Sequence, residues 1–296
     1  MLRWSASLSR WANAATDRRT RRRAKSRVMV ALMGVAVLVA VLPLVLILAS
    51  LVLRGAQSLS LDFFLNRPAP VGETGGGVAH AILGTLIIVG TAALVAVPLG
   101  IAAGLHASEY RGSRMARVTR FVADVLNGTP SIVVGILAWT WVVAVQGHFS
   151  GAAGAFALGM LMVPMVMRTT EELVALVPNE LREAALALGY PRWRTTLVVV
   201  LRTALPGIVT GALLAVARVA GETAPLLFTA LGSQYFTTNL DRPMAALPLV
   251  VFKYATGPYP EWHQMAWTAS LVLIMVVLVL GVLARLATRQ RFDAGN

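Results

Sequence analysis

The chain contains no cysteine, which excludes disulfides and thiolate metal sites and leaves its redox compartment unread. Lysine is almost missing too. Lys25 and Lys253 are the only two, and neither closes a G-x-x-x-x-G-K-S/T phosphate loop, so no ATPase site of that kind lies in this chain. Charge of any sign is scarce: 13% of the 296 residues are charged, against about 25% in a soluble domain. Hydrophobic residues take that place, at 57% with a mean hydropathy of +0.72, which points to an integral membrane protein. The four histidines, His80, His106, His148 and His263, are scattered without ligand spacing, so no metal site is expected. The charge that remains is lopsided, with a net +13. Such an excess could mean nucleic acid, and its location has to decide.

The apolar residues form runs able to cross the roughly 30 Å of hydrocarbon in a bilayer. Residues 1–27 read as a basic tail with Arg18, Arg19, Arg21, Arg22, Arg23, Lys25 and Arg27. Val28 to Leu53 follows as 26 residues without a charge. A signal-peptide core is only about 7–15 residues long, so this run is a span that stays. Further spans are expected near 79–105, 121–145, 152–167, 205–231 and 265–286, the second carrying a kink-capable Pro98. The chain thus divides into a tail, 1–27; a first span with its loop, 28–77; a transmembrane unit, 78–288, containing a polar interval at 178–205; and a short tail, 289–296. The fold expected is all-α, with six transmembrane helices.

Lys and Arg then orient the chain. Twenty-one of the 26 fall in the two tails, the 106–120 loop and the 168–204 region, while only Arg54, Arg67, Arg242 and Lys253 fall on the other side. By the positive-inside rule both termini are cytoplasmic. The positive charge is therefore a topology signal with lipid headgroups as its partners, not a nucleic-acid surface.

In the polar interval, Glu180 and Glu183 suit the first turn of a helix, and Ala184, Ala185 and Leu186 favour helix. Gly189 can end that helix in the left-handed cap position, and Pro191 can open a second one. Two surface helices joined by a glycine turn are expected, neither crossing the membrane. Within the fifth span, Arg218 is the fourteenth of 27 residues and Glu222 lies one turn on. A charge at mid-membrane costs about 2.5–3.5 kcal/mol on insertion scales, so the two should face a partner helix or a water-filled path. They are read either as a static pair that fixes packing or as a site where Arg218 meets an anion and Glu222 orients or releases it. Gly221 would admit another backbone closely, and Pro225, which frees the Gly221 carbonyl, would make a hinge. Thr129 and Ser131 flank the helix-breaking Pro130 and stand between packing and passage, with freed backbone amides as donors. Arg168 reads more readily as a snorkelling arginine than as part of an exit path. The apolar run 244–254, too short to span, reads as a surface-lying or re-entrant helix, either receiving an external partner or lidding the bundle.

The Glu183-Ala184-Ala185 tripeptide with Gly189 at its offset resembles the EAA loop of ABC-importer permeases, although the Leu-Pro pair that usually closes it falls later here, at Leu205-Pro206. The string from Ala217 through Gly221-Glu222-Thr223-Ala224-Pro225-Leu226-Leu227 to Ala230 resembles the PstA family of phosphate-importer permeases. So do Asn127-Gly128-Thr129-Pro130-Ser131 and Ala246-Leu247-Pro248. The resemblance covers about residues 80–280. It implies a type I ABC-importer permease fold in a prokaryotic inner membrane and a PstC-like permease as heterodimer partner. It also implies two PstB-like ATP-binding subunits that hold the ATP and Mg, a PstS-like phosphate-binding protein outside, and phosphate as cargo. No cofactor is expected on this chain, which makes and breaks no covalent bond. A permease for sulfate or molybdate, an ATP-independent carrier or channel, and a non-transporting scaffold are the alternatives.

Overall fold

The computed structural model describes residues 3–70, 73 and 75–292, without the side chains of 3–21, 23–24, 283–285 and 287–292. The first two residues of the basic tail and the last four of the C-terminal tail lie outside them. The described chain is helical, with two isolated β-bridges. Two units are distinguished, residues 1–53 and 54–296. The first is part of one helix, α1 (Arg3–Gly55), so the basic tail and the first span are continuous.

The second unit holds α2 (Leu61–Leu65), α3 (Ala79–Glu109), α4 (Arg114–Gly128), α5 (Ser131–Gln146) and α6 (Gly151–Ala175). These are followed by α7 (Asn179–Ala187), α8 (Arg192–Val219), α9 (Ala224–Thr229), α10 (Leu247–Ala255) and α11 (Pro260–Phe292). Among the described residues, five helices are long and apolar enough to cross a membrane, six if α4 and α5 together make one span.

The third expected span is not a straight helix. α4 and α5 meet at 108° across Thr129 and Pro130. The cause is local: a proline ring disfavours the α region for the residue before it, and Thr129 sits at φ −81°, ψ 130°. Pro130 itself, at φ −56°, ψ 137°, then opens α5.

α3 and α6 form the axis of the bundle. Between lipid-facing helices apolar burial gives little net drive, so close packing of small residues has to supply it. Gly100 lies against the Val166 side chain, and Gly104 against the backbone of Met167 and Glu171, where any Cβ would collide. Ile88, Ala92 and Ala96 of α3, Leu158 and Met162 of α6, Ala215 and Val219 of α8 and Leu226 of α9 complete this core. A second cluster joins Phe63, Val78 and Ala81 to Leu247, Val250 and Tyr254 of α10 and Ala269 of α11. The 244–254 run is therefore mostly buried, as a packing element against α3 and α11.

Candidate translocation site and coupling helix

Two sites grow from breaks in these helices. The first lies where α4 and α8 end and α5 begins, against the middle of α6. α8 stops at Val219, and the chain turns through Ala220–Thr223 before α9 begins. Its last turn tightens, with Gly221 N–H donating to Arg218 O at 3.2 Å and Glu222 N–H to Val219 O at 3.0 Å. The proline that would have blocked the helix is absorbed in the first turn of α9, where its missing N–H costs nothing.

This corrects three expectations. Arg218 is in the last turn of its helix, not the middle. Glu222 is off the helix, so the expected pair one turn apart is not formed, and neither residue makes an ion pair among the described residues. Gly221 admits no neighbour either: a Cβ there would meet only Arg218 O, at 3.6 Å. The close approach is at Gly135 of α5, where a Cβ would stand 2.7 Å from Pro225 Cα.

What the break builds is a cavity of about 320 Å³. Arg218 and Glu222 line it with Asn127, Thr129 and Ser131 from the α4–α5 bend, and Leu161 and Met165 of α6 close one wall. Residues far apart in sequence are thus brought to one place. Arg218 is exposed, its nearest polar contact a weak one of 3.8 Å from Nη1 to Met165 Sδ. The Thr129 hydroxyl donates to Val125 O at 2.7 Å, leaving its oxygen an acceptor only. α5 starts at the cavity edge; Val133 and Val134 N–H donate to Pro130 O at 2.9 and 3.3 Å, which leaves the amides of Ser131 and Ile132 as its free donors. A guanidinium and a helix N-terminus favour an anion; one carboxylate opposes a fully ionised one.

Arg168 does not line this cavity. Its Nε donates to Asp124 Oδ1 at 3.1 Å and its Nη1 to Glu171 Oε2 at 3.0 Å, while Arg120 Nε reaches Glu171 Oε1 at 2.5 Å. Arg120 also donates to Ala107 O and Arg111 O. Arg168 is therefore a member of a network tying α4 to α6, not a lone snorkelling cation. Asp124 and Glu171 carry no sequence signal beyond being rare carboxylates close to apolar runs.

The second site is α7. Glu180 lies in its first turn, while Glu183 falls in the second. The C-terminus closes with Tyr190 N–H donating to Ala185 O at 3.1 Å and Gly189 N–H to Leu186 O at 2.9 Å, with Gly189 at φ +86°. That six-to-one and five-to-two pair is a Schellman motif, and its left-handed residue favours glycine. Ala185 is buried, whereas Glu183, Ala184, Leu186 and Leu188 are exposed, Leu188 at 79%. No separate second surface helix follows. Pro191 caps α8 directly, and that helix runs, through a π-helical stretch at Thr195–Val200, to the Arg218 cavity.

Arg182, which sequence reasoning passed over, fastens α7 to the bundle. Its Nε and Nη2 donate to Glu109 Oε1 at 3.3 and 3.1 Å, Nη1 to Val177 O at 2.5 Å and Nη2 to Val174 O at 3.0 Å. Thr196 at the foot of α8 donates to the other Glu109 oxygen at 3.4 Å.

An all-helical bundle of apolar spans, with a polar cavity at broken helix ends and a capped amphipathic helix beside it, defines a multi-pass membrane protein with the type I ABC-importer permease fold. The chain belongs to the family described as the binding-protein-dependent transport system inner membrane component, which it matches over residues 96–291. It is 49% identical over 240 residues to the phosphate transport system permease protein PstA of Yersinia pestis, covering 81% of each chain. It is 45% identical over 242 residues to the protein of that name from Haemophilus influenzae, covering 81% of this chain and 85% of that one. Among solved structures, an inward-facing form of the MetNI methionine ABC transporter is similar at a TM-score of 0.58 and 18% identity, over 72% of this chain and 94% of that one.

Proposed function

We propose that the chain is the transmembrane permease subunit of an ATP-driven importer of inorganic phosphate, in the inner membrane of a prokaryote with both termini cytoplasmic. It pairs with a related permease, two ATP-binding subunits dock beneath, and a phosphate-binding protein delivers from outside. ATP and Mg belong to the docked subunits. The observation that carries this reading is the 49% identity, across 81% of both chains, to a phosphate permease.

The geometry agrees with that cargo. Arg218 offers a planar fork for two parallel hydrogen bonds to a tetrahedral oxyanion. The α5 N-terminus adds dipole and free amides. Glu222 can accept a hydrogen bond from the protonated oxygen of hydrogen phosphate, a donor that sulfate at neutral pH lacks. α8 links this cavity to the coupling helix. At 1.5 Å per residue its 28 residues make a lever of about 42 Å from the Gly189 turn to Arg218. A push on the exposed Glu183–Leu188 surface by the ATP-binding subunits is thereby delivered to the substrate. Arg168, in its network with Asp124 and Glu171, stands on the exit side of the cavity, and Gly221 in the Ala220–Thr223 turn, with Pro225 at the start of α9, serves as the hinge.

The test is phosphate uptake by cells carrying Arg218→Ala with Glu222→Ala, with assembly of the complex measured in parallel. Uptake is expected to stop while the complex still assembles. Normal uptake in the double variant would remove both residues from the mechanism.

A further inference from the structure

Lys253 is one of two lysines in the chain and, in the last turn of α10, far from the basic clusters that set topology. It lines a cavity of about 360 Å³ together with His80, Ser233 and Gln234. A second cavity, of about 500 Å³, carries Arg67 and shares Gln234 and Tyr254 with the first. Neither is lined by a carboxylate. Neither Lys253 nor Arg67 makes an ion pair among the described residues.

Three further observations fall on the same place. His80, in the first turn of α3, is only 4% exposed, and its Nδ1 has no hydrogen-bond partner. Leu231 in the cavity wall holds φ +57°, with Gly232 N–H donating back to Ala230 O at 2.7 Å. A β-carbon residue in that conformation is strained, and such strain collects at binding sites. Finally, only four basic residues lie on the side opposite the tails, and two of the four converge here. Topology selects against basic residues on that side, so it does not account for them.

We propose that Lys253, Arg67, Ser233 and Gln234 form a second, outer oxyanion site, distinct from the Arg218 cavity, that takes a phosphate group as it enters. The ligand assignment rests on the phosphate reading and on the orientation proposed above. Lys253 acts as a mobile point charge and Arg67 as a fork, while the hydroxyl and amide supply neutral donors. The ligand chemistry is a phosphate monoanion or dianion, whose sources are free orthophosphate and an anionic lipid headgroup. The acidic residues Asp62, Glu73 and Glu261 line a neighbouring cavity that meets this one at Ala69, Pro70 and Trp262 but do not line this one, so they serve as the control.

The experiment uses the complete transporter in nanodiscs, without binding protein or ATP, and measures radiolabelled orthophosphate by equilibrium dialysis. Discs of phosphatidylcholine alone are compared with discs containing phosphatidylglycerol. In an Arg218→Ala background, adding Lys253→Gln with Arg67→Gln is expected to weaken the remaining binding tenfold or more in both kinds of disc. Lys253→Arg should restore it, and Glu261→Gln should leave it unchanged. Binding that is identical with and without the Lys253 and Arg67 changes would overturn the proposal. So would loss of co-purifying phosphatidylglycerol with orthophosphate binding intact, which makes the cleft a headgroup site. If instead the wild-type transporter bound sulfate and not orthophosphate, the phosphate reading itself would fall, whatever these variants did.

Discussion

At the scale of single residues, what matters is which side chains are absent at a contact. Gly135 stands where α5 meets α9, and a Cβ there would come 2.7 Å from Pro225 Cα and 3.3 Å from its carbonyl oxygen. Backbone cannot yield as a flexible side chain can, so Gly135→Leu should push α9 away from α5. Overpacking of this kind costs typically 1–3 kcal/mol. The expected outcome is a lower thermal midpoint of the purified complex together with reduced phosphate uptake, and an unchanged midpoint would show that the contact is slack. Sequence placed a close-approach glycine in this region but chose Gly221, because Gly221 lies between the two charges. The partner of such a glycine is set by tertiary packing, and nothing near Gly135 in the chain announces Pro225.

At the scale of elements, the helix α7 and its glycine cap were well foreshadowed and its attachment was not. Glycine at 189 could be read as a cap because left-handed backbone is a local demand, met within six residues. The Arg182–Glu109 contact joins residues 73 apart, and a lone Arg on an amphipathic helix looks like any solvated charge. Its guanidinium also holds the carbonyls of Val174 and Val177, so removing it takes the side-chain donor from both and leaves Glu109 with Thr196 alone. Arg182→Ala should loosen α7 from the bundle by roughly 1.5–3 kcal/mol, the range for hydrogen bonds to charged groups. Proteolysis within 176–191 is the check: faster cleavage than wild type is expected, and equal rates would mean that α7 is held by Ala185 and the flanking turns alone. The third span was half legible for a related reason. Pro130 marked the break in the sequence, but hydropathy is blind to direction, and the 108° size of the bend at Thr129 and Pro130 was not to be read from it.

At the scale of the whole molecule, the architecture was legible because bilayer-length apolar runs and their charge flanks are properties of the sequence itself. The cavity was only half legible. Arg218, Glu222, Thr129 and Ser131 were singled out, and they do share one cavity, but they reach it from a helix end, a turn and a bend instead of a continuous helix. α8 runs from the turn that follows α7 to that cavity, so the coupling proposed between Glu183 and Arg218 would pass along one continuous helix. The most direct measurement of that claim is phosphate uptake in cells carrying Glu183→Lys, with recovery of the ATP-binding subunit on the purified permease. Glu183 is exposed, so the folded bundle tolerates the change. Uptake and recovery of the ATP-binding subunit are predicted to fall together. Uptake and association both at wild-type levels would contradict the account, leaving α7 a mere connector.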